Sequence, residues 1–326
     1  MPTASPLVVI TRPLPGDPQG MLARAGFTNV WTNPRDDRLT RTELLNAVTG
    51  AHAVLATPAD VKINAEFFDR AGDQLVIVSN YAVGVDNIDM TEARRRGIRI
   101  GNTPDAVTEP TADAAWLLLL AGARRAREGL DIARSGAWTG VKPLDPMGLR
   151  VIGKTLLIIG PGRIGRAVAR RAVAWDMTIL YSARSDHPDF EAPPTNARRV
   201  TLEAGLAEAD LVTIHTPLTD ETRHLINTRT LALMKPTAVL VNTSRGPVVD
   251  EAALAAALRD GVIFAAGIDV FENEPEIHPD LVGLDRAFLL PHWGSTTDED
   301  RAWMTAQAVD NVIAALTGKP LPTEFV

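Results

Sequence analysis

Cysteine is missing from all 326 residues, which excludes disulfides, zinc–thiolate centres and thiol nucleophiles together. Blocks of basic residues are missing too. With a net charge of −7, the chain is not suited to nucleic acid or an anionic membrane surface. Long apolar runs are absent: the longest, Ala114 to Ala123, falls well short of the about 20 residues a spanning helix needs. Met1 to Pro6 has neither the charged start nor the apolar centre of a signal peptide, so a soluble cytoplasmic protein is expected. There is no repeat at solenoid spacing and no low-complexity tract. What remains is ordinary globular composition, 45% hydrophobic and 22% charged, in a chain long enough for about two domains.

Short apolar runs alternate with segments of helical spacing, the pattern of a doubly wound α/β sheet. Expected strands are Leu7–Ile10, Ala53–Ala56, Leu75–Val78 and Ile98–Ile100. After them come Lys154–Ile159, Thr178–Tyr181, Leu211–Ile214, Ala238–Val241, Ala265–Ile268 and Phe288–Leu290. Thr40-Arg41-Thr42-Glu43 reads as a capping box opening a helix. A long helix is expected from Thr108 to about Gly129, or on to Ser135. It is apolar all round at Trp116 to Leu120, which implies burial on more than one side. A last helix is expected from about Thr297 to Leu316.

The organising stretch is Gly160-Pro161-Gly162-Arg163-Ile164-Gly165, placed between a strand and a helix as the dinucleotide fingerprint requires. The first glycine permits the tight turn, the second lets backbone approach a pyrophosphate, and the third lets helix and strand pack closely. The helix start then offers N–H groups to the anion.

In open α/β sheets ligands sit beyond the carboxyl ends of strands, and several such ends are unusual here. They read Asn80-Tyr81-Ala82-Val83-Gly84-Val85-Asp86, Asn242-Thr243-Ser244-Arg245-Gly246, Asp269-Val270-Phe271-Glu272-Asn273-Glu274-Pro275 and Pro291-His292-Trp293-Gly294-Ser295. With the fingerprint, and in this order, they resemble the signatures of the D-isomer-specific 2-hydroxyacid dehydrogenases across essentially the whole chain. Thr108 through Arg125 is most similar to the glyoxylate and hydroxypyruvate reductase branch. The resemblance implies two doubly wound parallel-sheet domains. A Rossmann cofactor domain, residues 102–291, is inserted into a flavodoxin-like substrate domain, residues 1–101 and 292–326, and the long helix supports a homodimer.

Reducing a 2-keto acid places hydride on the carbonyl carbon and a proton on its oxygen. Histidine is the natural donor near neutral pH, and His292 is the candidate. A neighbouring carboxylate favours the charged imidazole, and Glu274 is the resembling partner. Arg245 brings the planar fork that suits a substrate carboxylate and a polarised carbonyl. Backbone N–H groups around Val83 and Gly84 suit the other end of that carboxylate. Candidate cofactor contacts are Thr108, Gly160, Gly162, Arg163, Ile164, Gly165, Arg184, Ser185, Thr243, Ser244, Asp269, His292 and Gly294. Asp269 has two readings, orienting the cofactor or pairing with a neighbour. His215 either lines the cofactor pocket or is structural. Trp293 either narrows the substrate pocket or fills core.

An NAD site expects Asp or Glu at the end of the strand after the fingerprint helix, bonding the ribose 2′-OH. That place reads Tyr181-Ser182-Ala183-Arg184-Ser185, with no carboxylate before Asp186. Arg184 and Ser185 match a 2′-phosphate instead, so NADP is expected over NAD. The expected reaction is NADPH-dependent reduction of glyoxylate, hydroxypyruvate or, as the nearest variant, 2-ketogluconate to the D-hydroxy acid. Two other readings stay open. One is a formate- or phosphite-type dehydrogenase, although the phosphite enzymes carry lysine where Val83 stands. The other is a dinucleotide-sensing corepressor, which the absence of a long disordered tail disfavours. No metal is expected.

Overall fold

The computed structural model describes residues 5–58, 62–136, 138–144 and 147–325. The chain divides into two compact units, Met1–Val107 with Thr296–Val326, and Thr108–Ser295. The dividing points lie a few residues beyond 101 and 291. Two local facts account for them. The helix Thr108–Ala123 packs on the strands of the second unit, and Gly294 is tied by its N–H to Asp269.

In the first unit, β1 (Val8–Ile10), β2 (Val30–Thr32), β3 (Ala53–Ala56), β4 (Ile77–Asn80) and β5 (Arg99–Gly101) form a parallel sheet in the order β2-β1-β3-β4-β5. This is the flavodoxin-like order. Alternate residues feed opposite cores. Val9, Val54 and Val78 pack with Leu44, Phe67 and Phe68 on one face. Val8, Ile10, Leu55 and Ile77 pack with Leu22, Met304, Ala308 and Val312 on the other. Each such side chain contributes about 1.5–3 kcal/mol through burial. The final helix, Asp298–Leu316, belongs to this unit and is pinned where Ser79 Oγ donates to the Ala308 carbonyl at 2.8 Å.

In the second unit, β6 (Thr155–Ile159), β7 (Thr178–Ser182), β8 (Arg198–Arg199), β9 (Leu211–Ile214), β10 (Val239–Asn242), β11 (Ala265–Ile268) and β12 (Ala287–Leu289) form a parallel sheet. Its order is β12-β11-β10-β9-β6-β7-β8. Counted along this unit it is the Rossmann order with one further strand. The helix Thr108–Ala123 lies close over the sheet because Gly267 has no side chain. A Cβ there would stand 2.6 Å from that of Leu118. Trp116 Nε1 donates to the Val168 carbonyl of the fingerprint helix at 3.1 Å, and its ring stacks on Trp175.

Several local expectations change. The long helix does not run on to Gly129 or Ser135. It ends at Ala123, and a second helix covers Ala126–Arg134 after Arg125 turns left-handed at φ 53°. The returning chain causes the break. Leu149 N donates to the Ala123 carbonyl at 2.7 Å, taking the acceptor that a continuing helix would use. Over the apolar segment Trp116, Leu118 and Leu119 are buried while Leu117 is half exposed. The fourth strand of the first unit sits two residues later than Leu75–Val78, because Ser79 and Asn80 satisfy their polar groups while buried. The edge strands β2 and β8 have no alternating apolar signature and were not anticipated. The Pro/Gly-containing stretch from Trp138 to Gly148, whose composition suits a loop, lies partly outside the described residues.

Candidate active site

The fingerprint turn has the geometry its glycines imply. Gly160 adopts φ +92°, and a Cβ on it would stand 2.9 Å from the His215 carbonyl. A Cβ on Gly165 would lie 2.5 Å from the Gly160 carbonyl oxygen, so only glycine lets helix and strand approach this closely. Gly162 is different: its Cβ would meet nothing within 4 Å. It is the N-cap of the helix Arg163–Val173, which carries no side-chain cap. Arg163 is exposed and Ile164 half-buried in the first turn. An open cradle above an uncapped helix start fits a pyrophosphate. Buried polar atoms at neighbouring strand ends point the same way: Thr243 Oγ1 and His215 Nδ1 have no hydrogen-bond partner. His215 shares a 2.9 Å bond with Thr213 through Nε2, and burial takes its imidazole down to about 3, so the ring stays neutral. Among the described residues these groups fit a nicotinamide dinucleotide, and no His/Asp/Glu group could hold a metal.

Beyond β7, Arg184, Ser185 and Asp186 are exposed. Arg199, on β8, reaches under this loop. It donates to the carbonyls of Ala183 at 3.0 Å and Arg184 at 2.8 Å, and to Asp186 Oδ1 at 2.6 Å. Glu221 lies near Arg184. Its carboxyl is lowered, chiefly by a hydrogen bond from Thr219, with the Arg184 charge adding to this.

The β10, β11 and β12 ends converge. Asn242 folds the first loop: its Nδ2 donates to the Arg245 carbonyl at 2.9 Å, and its Oδ1 accepts from the Ser244 N–H and hydroxyl. Gly246 lets that loop cross the next one, since a Cβ would fall 1.9 Å from the Phe271 carbonyl carbon. Glu274 Oε1 accepts from the Phe271 N–H at 3.0 Å and Oε2 from His292 Nδ1 at 2.9 Å. Burial pushes the Glu274 carboxyl up. The His292 bond and charge, the Phe271 N–H and the Arg245 charge outweigh this and hold it below the usual range. The carboxylate on Nδ1 leaves Nε2 as the outward nitrogen of the ring.

Asp269 is the support beneath. It is 1% exposed, and its oxygens accept from Trp293 N at 2.7 Å and Gly294 N at 2.9 Å, while its carbonyl accepts from His292 N at 2.8 Å. Burial raises its carboxyl to about 6 against these N–H groups and the His292 charge. His292 itself sits at φ +56°, a conformation that costs a non-glycine residue about 1–3 kcal/mol and persists only where its surroundings impose it.

The second unit therefore gathers Thr243, Ser244, Arg245, Asp269, Glu274, His292 and Gly294 at adjoining strand ends. Thr108 opens the helix on the same sheet. Val83 and Gly84 belong to the first unit, in the turn after β4. There Asn102 Nδ2 donates to the Val83 carbonyl at 2.9 Å and Asn80 Nδ2 to that of Gly84 at 2.8 Å. Trp293 is 58% exposed, which removes the core-filling reading. Sequence reasoning missed Arg199, whose only signal is a basic pair following the Arg184 loop. It also missed Arg166, which donates to the Pro161 carbonyl at 3.1 Å and stacks over Phe190.

Comparison with known proteins agrees with this geometry. Residues 116–294 match the family model "D-isomer specific 2-hydroxyacid dehydrogenase, NAD binding domain". The glyoxylate reductase of Thermococcus onnurineus is 46% identical over 98% of this chain and 95% of its own. The glyoxylate/hydroxypyruvate reductase B of Erwinia tasmaniensis is 45% identical over 79% of this chain and 80% of its own. A crystal structure of the NADPH-dependent glyoxylate/hydroxypyruvate reductase of Sinorhizobium meliloti, with NADP and malonate, superposes with a TM-score of 0.83. It is 32% identical, covering 99% of this chain and 97% of that one. Sheet order, fingerprint, clustered strand ends and these matches together place the chain in the D-isomer-specific 2-hydroxyacid dehydrogenase family.

Proposed function

We propose that the protein is an NADP-preferring reductase of small 2-keto acids, glyoxylate or hydroxypyruvate, giving the D-2-hydroxy acid. The observation that carries this reading is the Glu274–His292 pair at 2.9 Å, with the Arg245 charge acting on the same carboxylate. When bound, the reduced nicotinamide supplies a hydride. The chain's own residues do the rest. His292 Nε2 gives a proton to the substrate oxygen, and Glu274 on Nδ1 stabilises the charged ring that must exist beforehand. Arg245 holds the substrate carboxylate and polarises the carbonyl. On the first unit, we assign the N–H groups at Val83 and Gly84 to the substrate carboxylate, their carbonyls being taken by Asn102 and Asn80.

For the cofactor, we assign Gly160, Gly162, Arg163, Ile164 and Gly165 to the pyrophosphate. Thr108, Thr243, Ser244, Asp269, His292 and Gly294 line the nicotinamide side. Arg184 and Ser185 meet a 2′-phosphate. The glyoxylate/hydroxypyruvate reductase of known structure, described as NADPH-dependent, supports this preference. So does the absence of an unpaired carboxylate at the end of β7. A homodimer accompanies the assignment, supported by the exposed apolar side chains Leu117, Leu130, Ile132, Val141 and Leu144 in the second unit.

The test is NADPH oxidation with glyoxylate and with hydroxypyruvate. His292→Ala should lose at least about a hundredfold in kcat, the usual share of a positioned proton donor, while still binding NADPH. A near-normal rate would remove His292 from its role.

A further inference from the structure

The loop that follows β7 is held by a residue outside every motif. Arg199 stands on β8, in register with Tyr181 of β7, and Val200 N closes the ladder on the Tyr181 carbonyl at 2.9 Å. Its guanidinium is directed at the loop backbone. Nε and Nη2 donate to the Ala183 carbonyl at 3.3 and 3.0 Å, Nη2 to the Arg184 carbonyl at 2.8 Å, and Nη1 to Asp186 Oδ1 at 2.6 Å. One side chain thus fixes the main chain on both sides of the Arg184 Cα and neutralises the first carboxylate after the strand. The far side of the loop is anchored separately. The His187 N–H donates to the Tyr181 hydroxyl at 3.0 Å, that hydroxyl donates to Glu191, and Arg166 stacks over Phe190.

Two physical consequences follow. Arg184 and Ser185 are exposed, so their side chains have little packing to order them, and only the backbone beneath defines where they start. Asp186 would repel a 2′-phosphate and could accept from a ribose 2′-OH if released. Bound to Arg199 at 2.6 Å, it does neither freely. An ion pair this exposed adds little to stability, since Asp186 is 70% exposed, so holding the fold together is a poor account of the arrangement.

We propose that Arg199 is a positioning residue for cofactor selectivity, favouring a 2′-phosphorylated dinucleotide by pinning residues 183–186 and withholding Asp186. The proposal rests on the NADP reading above. Arg199 touches no cofactor atom in this scheme. It acts through Arg184, Ser185 and Asp186.

The test uses equilibrium binding of adenosine 2′,5′-bisphosphate and of 5′-AMP to the full-length protein, alongside steady-state kinetics with NADPH and NADH. In Arg199→Gln the dissociation constant for 2′,5′-ADP should rise about tenfold, the size of one lost charge-assisted contact. That for 5′-AMP should stay within about twofold. KM for NADPH should rise with kcat and the glyoxylate KM unchanged. Arg199→Lys keeps the ion pair but not the forked carbonyl bonds, and should fall between. Adding Asp186→Asn to Arg199→Gln should recover part of the 2′,5′-ADP affinity. Equal losses for both nucleotides, or no change in their ratio, would overturn the proposal. The wild-type ratio separately tests the cofactor reading. If wild type binds both nucleotides alike, that reading fails, and a fall in the ratio on Arg199→Gln still supports the positioning role while an unchanged ratio sinks it.

Discussion

Asp269→Asn separates what the buried carboxylate costs the fold from what it gives the site. The carboxyl is raised from its ordinary 3.8 to about 6 because burial disfavours the charge. A shift of that size corresponds to about 3 kcal/mol against the ionised form. Asparagine removes this cost. It also introduces a mismatch. The two oxygens of Asp269 each accept a backbone N–H, from Trp293 and Gly294. An amide can accept only one and must point its own NH2 at the other, leaving a buried donor unsatisfied at about 1–3 kcal/mol. The two terms are of similar size and opposite sign, so overall stability at pH 7.5 should change by no more than about 1 kcal/mol. The site should not escape. The lost bond is one of those holding His292 at φ +56°, where its backbone does not settle unaided. We expect kcat to fall about tenfold or more, as displaced catalytic groups do, with NADPH still bound.

The pH dependence supplies the sign. A carboxyl whose folded pKa lies above its unfolded one binds protons more tightly in the fold. Its contribution is therefore most favourable below about 4, declines as pH rises towards 6, and is a constant penalty above. Wild type should thus lose stability relative to Asp269→Asn between pH 4.5 and 7.5. Chemical denaturation of both proteins at the two pH values reads this difference, and other titrating groups common to both cancel. A stability difference independent of pH, or a variant with wild-type kcat, would refute the reasoning.

Glu274→Gln keeps an acceptor for the Phe271 N–H but removes the charge that Nδ1 of His292 faces, so kcat should fall about ten- to hundredfold. On the acid side wild type should lose rate only below the range of an ordinary glutamate, because the depressed Glu274 carboxyl stays ionised there, and the glutamine variant should lack that fall. Gly162→Val and Gly160→Ala should part company. The first places its side chain in open space, so the protein should fold and melt normally while losing cofactor affinity, read by NADPH fluorescence titration. The second puts a Cβ 2.9 Å from the His215 carbonyl at φ +92°, and should lower stability by about 1–3 kcal/mol, read by thermal melting.

The division between what was legible in the sequence and what was not follows the range of the interactions. Central strands announce themselves because both faces are buried, as in Val8–Ile10 or Leu211–Ile214. The fingerprint is legible because backbone sterics demand glycine at set intervals, and Arg245, Glu274 and His292 stand out as candidates because few residue types suit the proposed chemistry and they fall at strand ends. Edge strands β2 and β8 are not legible: a three-residue and a two-residue strand bury no stripe of their own. The break after Ala123 is not legible either, since it depends on Leu149 returning to the helix end.

The same distinction explains why the groups that place the chemistry lie outside the motifs' obvious reading. Three loops at the site are held through their main chains by the side chain of a residue on a strand or at a strand end. Asp269 on the β11 end holds the N–H groups of Trp293 and Gly294. Asn242 on the β10 end holds the carbonyl of Arg245. Arg199 on β8 holds the carbonyls of Ala183 and Arg184. Gly246 contributes by having no side chain at all, so that the Arg245 loop can cross Phe271. Main-chain tethers of this kind do not depend on which residue occupies the loop, so the loop side chains can change without moving the backbone that carries them. Under the proposed assignments, cofactor preference at Arg184 and Ser185, and substrate preference at the exposed Trp293, are then adjustable independently of the Glu274–His292 pair. A substitution at Trp293 should accordingly redistribute kcat/KM among 2-keto acids while leaving the pH–rate profile in place. A shift of that profile would show that the two are coupled after all.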